Sequence, residues 1–206
     1  MSEFILGVIL AGGLGTRMGG GDKPLKEVGG VSILERVIRR LKPQCGGLVL
    51  NANGDPARLK SFSLPVIADT IPDYAGPLAG VLAGMRYAQA NCPRNALVLS
   101  VAGDCPFLPQ NLAARLASAR IEAQADIAVA ASGGWNHPVI ALWPVTLAEA
   151  LEEALRSGLR KIDSWTAGYK TASAEWPVAP YDPFFNANAP EDILAAAEIL
   201  KARPAA

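Results

Sequence analysis

The feature that most narrows what this chain can fold into is an alternation of two kinds of segment. Short runs at Ile5–Leu10, Leu48–Asn51, Pro65–Ala68, Ala96–Val101 and Ile127–Ala131 are apolar at nearly every position. Strands buried on both faces of a sheet read this way, whereas half-exposed strands alternate. Between and after these runs, Ser32–Leu41, Leu78–Ala90, Pro109–Ala119, Leu147–Ser157 and Pro190–Ala202 carry apolar residues at helical spacing. Ser32 with Glu35 three residues on makes a capping box. Pro190 followed by Glu191 and Asp192 suits a first helical turn, where negative charge meets the positive helix end. A helix between two strands lets the second strand run parallel to the first. The pattern predicts an α/β fold: one three-layer α/β/α domain over residues 1–206, with a mostly parallel sheet. Ligands of such sheets bind beyond the carboxyl ends of the strands. The residues that follow each strand are therefore the place to look for chemistry.

Composition removes several classes. The 206 residues carry 19 Lys+Arg against 19 Asp+Glu and are 50% hydrophobic, too apolar for a disordered chain. The balanced charge argues against nucleic acid, whose backbone demands an excess of cations. Mean hydropathy is +0.22, yet no apolar run approaches the roughly 20 residues of a spanning helix, so no membrane association is expected. The opening Met-Ser-Glu-Phe-Ile-Leu-Gly has no basic stretch ahead of its apolar run and does not read as a signal peptide. Cys45, Cys92 and Cys105 stand apart, without CxxC spacing. Neither a disulfide framework nor a zinc site follows, and a reducing cytoplasm is the expected location.

The first strand leads into Ala11–Pro24, which holds six glycines in fourteen residues together with Arg17 and Lys23. Glycines let backbone N–H groups approach an anion closely, and the two cations suit a triphosphate. The loop is not a Walker A motif, since Lys23 is followed by Pro24. Nor is it a dinucleotide fingerprint, because Met18 stands where the third glycine belongs.

Leu10-Ala11-Gly12-Gly13, Arg17-Met18-Gly19 and Asp22-Lys23 together resemble the signature of nucleotidyltransferases with a Rossmann-like fold. Within these the chain is most similar to the molybdenum cofactor guanylyltransferases. Asn51-Ala52-Asn53, Asp69, Tyr74-x-Gly76-Pro77-Leu78-Ala79-Gly80, Asp104-x-Pro106, His137-Pro138 and Asn186-x-Asn188 extend the match over nearly the whole chain. The resemblance implies transfer of GMP from GTP to molybdopterin, with or without molybdenum, and release of pyrophosphate. It also implies Mg2+ as cofactor. Other molybdenum cofactor biosynthesis proteins, acceptor molybdoenzymes or their chaperones are the expected protein partners.

The residues themselves leave choices open. A carboxylate past a strand end can hold magnesium against nucleotide phosphates, or can cap a helix; the resemblance makes Asp104 the magnesium ligand. Asn51 and Asp69 are turn formers in isolation. An Asn can also meet a nucleobase edge or ribose, and an Asp can accept from guanine N1–H and the 2-amine. The resemblance makes both nucleotide-binding, along with Leu10, Ala11, Gly12, Gly13, Lys23 and Gly76, Pro77, Leu78, Ala79, Gly80. It gives Asp104, Lys23 and Arg17 the catalytic roles.

Asn186 and Asn188 alternate onto one face ahead of a helix start that attracts anions, or else serve as turn and cap residues. His137 is the only histidine. Arg156, Arg160 and Lys161 suit either the molybdopterin phosphate or an ordinary solvated face. Trp135, Trp143, Trp165 and Trp176 are each a stacking platform for a pterin or part of the core. Residues up to about 110 would then serve GTP and later ones the acceptor. The same loop would also serve transfer from CTP or ATP, a sugar-phosphate acceptor, or a non-enzymatic GTP-binding module.

Overall fold

The computed structural model describes residues 3–12, 25–71 and 76–202. In chain order these form β1 (Ile5–Leu10), a small hairpin of β2 (Glu27–Val28) and β3 (Val31–Ser32), α1 (Ile33–Leu41), β4 (Gly47–Asn51), β5 (Val66–Ile67), α2 (Pro77–Asn91) and β6 (Leu97–Ala102). There follow α3 (Leu112–Glu122), β7 (Ile127–Ser132), β8 (Trp135–Pro144), α4 (Ala148–Arg156), α5 (Ile162–Thr166), β9 (Thr171–Trp176) and α6 (Pro190–Ala202). The main sheet has seven strands in the order β5-β4-β1-β6-β8-β7-β9. β8 runs antiparallel to both its neighbours, and the remaining pairs are parallel.

β8 and β9 escape the apolar-run criterion for physical reasons. β8 opens with Trp135-Asn136-His137-Pro138 and becomes fully buried only over Ile140–Trp143. Gly133 and Gly134, both at positive φ, close its two-residue turn from β7, the conformation such turns demand. β9 buries Ala172, Ala174 and Trp176 and exposes Thr171, Ser173 and Glu175, as an edge strand with one wet face does. α3 starts at Leu112, later than its Pro109 suggested.

Alternation along β1 divides the core into two layers. Ile9 faces a cluster with Leu34, Val37 and Leu41 of α1, Leu112 and Leu116 of α3, and Ala196 of α6. Leu6 and Val8 face Leu78, Leu82 and Met85 of α2, Leu151 of α4 and Trp165 of α5. Helices thus cover both faces. The chain leaves β1 toward β4 on one side and returns as β6 on the other. That reversal opens a crevice at the carboxyl ends of β1 and β6.

Candidate active site

At the switch point the backbone itself is tightly held. Ala11 N–H donates to the Asn51 carbonyl at 2.9 Å, and Gly103 N–H donates to the Leu10 carbonyl at 3.0 Å. A Cβ at position 103 would lie 3.0 Å from that carbonyl oxygen, so the close approach of the chain after β6 to the end of β1 favours glycine there. Ala11 is buried while Gly12 emerges to solvent. Gly13, Arg17 and Lys23 lie outside the described residues.

Asn51 and Asp69, each a turn former in isolation, bond to one another. Asn51 Nδ2 donates to Asp69 Oδ1 at 2.9 Å and to the Ile67 carbonyl at 3.3 Å. Asn53 Nδ2 donates to the other carboxylate oxygen at 2.8 Å, and Asp69 N–H returns a bond to Asn53 Oδ1 at 2.9 Å. Two asparagines thereby clamp one carboxylate in plane. Asn53 has no role legible from sequence beyond its place in Asn51-x-Asn53 at the end of β4, and that alternation is its signal. Gly80 closes this corner: a Cβ there would sit 2.2 Å from Asn51 Oδ1 and 2.7 Å from Leu10 Cδ2. Gly76 is the exposed N-cap of α2, Pro77 takes its first turn, and Leu78, Ala79 and Gly80 are buried behind it.

Across the crevice, Asp104 follows β6 and is half-buried. The helix-cap alternative falls, since Asn111 occupies the N-cap position of α3. The Asp104 carbonyl accepts from Ala187 N–H at 3.0 Å. Cys105 Sγ, itself buried, donates to Asn186 Oδ1 at 3.0 Å. Asn186 and Asn188 are exposed around buried Ala187, as the expected alternation requires. The helix start behind them is already satisfied: Asn188 N–H and Ala189 N–H both donate to Asp192 Oδ2, at 2.7 and 2.8 Å. An internal carboxylate therefore takes the place an external anion was expected to fill.

His137 lies on β8 near its hairpin end, with Nε2 2.7 Å from Ser132 Oγ and its ring 4.7 Å from that of Phe184. Burial lowers its pKa, partly opposed by Asp182 and Glu175. Arg156 pairs with Glu152 at 2.7 Å, in a network that joins α4 to Arg86 of α2. Arg160 Nη1 donates to the Leu159 carbonyl at 3.2 Å, and Lys161 is the exposed residue before α5. Among the described residues no hydrogen bond or ion pair ties Arg156 or Lys161 to His137 or the asparagines. Trp143, Trp165 and Trp176 are core residues, which leaves Trp135, 77% exposed, as the one tryptophan open to a ligand.

A family model described as a MobA-like NTP transferase domain matches residues 7–172. The molybdenum cofactor guanylyltransferase of Nitrobacter hamburgensis is 58% identical over 188 residues, covering 91% of this chain and 90% of that protein. The chain belongs to the molybdenum cofactor guanylyltransferase family. The family member from Rhodopseudomonas palustris strain BisB5 is 59% identical over 193 residues, 93% of this chain and 92% of its own length. In structure, molybdopterin-guanine dinucleotide biosynthesis protein A of Archaeoglobus fulgidus superposes with a TM-score of 0.75 at 24% identity. It covers 96% of this chain and 99% of its own, a likeness that speaks for the fold.

As a member of this family the chain is a nucleotidyltransferase. Its donor set has a matching character. Among the described residues there is no cluster of three or more His, Cys, Asp or Glu side chains able to cage a metal. A half-buried carboxylate at a crevice edge suits a cation that draws its other oxygens from phosphates and water, as magnesium does. Asp104 fits that part. No helix among the described residues is long and apolar enough to cross a membrane.

Proposed function

We propose that this chain transfers GMP from GTP to molybdopterin, with or without molybdenum, and releases pyrophosphate, in the cytoplasm and with Mg2+. The observation that carries the reading is the Asp69 carboxylate held by Asn51 and Asn53 across the switch-point crevice from Asp104. With both its oxygens oriented, Asp69 accepts from guanine N1–H and the 2-amine. Adenine offers an acceptor at N1 and no 2-amine, so its edge gives the carboxylate no donor and sets a lone pair against it in a partly buried corner. The backbone of Leu10–Gly13 and the start of α2 at Gly76–Gly80 flank the base and ribose.

Lys23 and Arg17 hold the triphosphate. Asp104 holds Mg2+, which when bound offsets charge on the α- and β-phosphates. The acceptor is a phosphate monoester, already anionic at neutral pH, so its oxygen attacks the α-phosphorus without a general base. Positioning and charge neutralisation then supply the rate. His137, Asn186, Asn188, Arg156, Arg160 and Lys161 serve the acceptor side. Other cofactor-assembly proteins, molybdoenzymes or their chaperones take the product.

The test mixes the purified chain with Mg2+, molybdopterin and GTP, CTP or ATP in turn and follows pyrophosphate. Release with GTP alone is expected. Equal turnover with CTP would overturn the base assignment, and GTP binding without any pyrophosphate would point to a sensor.

A further inference from the structure

Ser132 ends β7 beside the first residues of β8, and it is 3% exposed. Because β8 is antiparallel, its start lies at the same end of the sheet as Ala102 and Asp104. The hydroxyl has two partners: His137 Nε2 at 2.7 Å and Asp182 Oδ1 at 2.9 Å. A serine carries one proton, and a carboxylate only accepts. Asp182 Oδ1 also accepts from Phe184 N–H at 2.9 Å, so it serves as the acceptor of this cluster. The serine proton therefore goes to Asp182, and the proton on the short histidine bond must come from Nε2. In the neutral ring Nδ1 is then a bare lone pair, and it makes no hydrogen bond among the described residues.

The same hydroxyl reaches further. Asp182 holds the turn at Phe184, whose buried ring packs against His137 and edge-on to Trp176, with centroids 5.3 Å apart. Two residues later Asn186 takes its bond from Cys105, beside Asp104. A continuous path of short contacts runs from the β7–β8 hairpin to the edge of the crevice.

We infer that Ser132 and Asp182 are positioning residues for the acceptor half of the site, and that they fix His137 as the Nε2–H tautomer so that Nδ1 accepts a hydrogen bond from an N–H of the pterin. This rests on the function proposed above; the tautomer itself does not. A pterin offers ring N–H and exocyclic amine donors, which a lone pair recognises and an N–H repels. Ser132 thus sets the sign of the contact without touching the substrate.

The chain has one histidine, so imidazole 1H–15N correlation spectra of the tag-free labelled protein report on His137 alone. At a pH where the ring is neutral, the Nε2–H form should dominate by about tenfold, as one hydrogen bond of ordinary strength dictates. Saturating molybdopterin should shift Nδ1 and leave Nε2 protonated. A dominant Nδ1–H form, or an Nδ1 signal unmoved by molybdopterin, would overturn the proposal. In kinetics, Ser132→Ala should raise the molybdopterin KM about tenfold while the GTP Kd stays within about twofold, and Ser132→Thr, which keeps the hydroxyl, should restore KM. Equal loss for both substrates would mark a merely structural serine and also overturn it. A wild-type protein that releases no pyrophosphate with both substrates would instead overturn the proposed function, since the tautomer is read without any substrate.

Discussion

Gly80→Ala separates the base-reading corner from ordinary helix packing. Inside α2 the exchange should by itself stabilise the helix by about 1 kcal/mol, because alanine surrenders less backbone freedom than glycine. The surroundings oppose it. The new Cβ would stand 2.2 Å from Asn51 Oδ1, 2.9 Å from Asn51 Cγ and 2.7 Å from Leu10 Cδ2. Asn51 is 6% exposed and cannot swing into solvent. Turning it away breaks its bonds to Asp69 and to the Ile67 carbonyl, at about 1 kcal/mol each. Displacing Leu10 adds the ordinary penalty of overpacking, about 1–3 kcal/mol.

The sum is a net loss of about 2–4 kcal/mol, together with an Asp69 that has lost one of its two clamps. GTP affinity should then fall at least about tenfold, the equivalent of about 1.4 kcal/mol of lost base pairing. Gly84→Ala, one turn further along the same helix, is the matched control. The three atoms nearest its Cβ would all belong to the Val8 side chain, the closest at 2.5 Å. It should lose stability by overpacking and keep GTP affinity within about twofold. Urea melts and GTP titrations of both variants decide the matter. Were the two to bind GTP equally well, or Gly80→Ala to exceed wild type in stability, the clamp argument would be wrong.

Asp104→Ala should lower pyrophosphate release by about a hundredfold or more with little change in melting temperature; near-normal release would move the metal role to Asp22 or Asp69. Asn53→Ala removes an exposed residue, so stability should barely move while GTP affinity falls about tenfold through a loosened Asp69; unchanged affinity in titration would exclude a clamp. Burial pushes the Cys45 thiol from 9.0 up to about 12. Its folded pKa lies above the unfolded one, so the unfolded chain loses its proton first. The stability this thiol contributes is intact below about pH 9 and declines as pH rises toward 12. Urea midpoints should drop between pH 8 and pH 10 in wild type and drop less in Cys45→Ala; identical pH slopes would refute the assignment.

Local patterning alone was enough for the parts of this protein that obey one rule at a time. Continuous apolar runs marked β1, β4, β5, β6 and β7 because strands covered on both faces leave few positions for polar side chains. Ser32 and Pro190 marked helix starts because capping is chemistry between near neighbours. The glycine-rich loop and the residues that follow strands pointed to the nucleotide side proposed above, since a parallel sheet puts its ligand at the strand ends. What escaped was whatever depends on partners distant in sequence. β9 reads as polar because one of its faces is wet, and β8 because its first four residues lie at the sheet's open end.

No local rule could say that Asn51, Asn53 and Asp69 form one clamp, that Cys105 bonds Asn186, or that Asp192 occupies the start of α6. Nor could it say that Arg156 pairs with Glu152. Ser132 illustrates the limit most sharply: in sequence it is one polar residue ending a strand. Only the antiparallel return of β8 and the later passage of Asp182 give its single proton two claimants, and thereby fix which nitrogen of His137 is left bare.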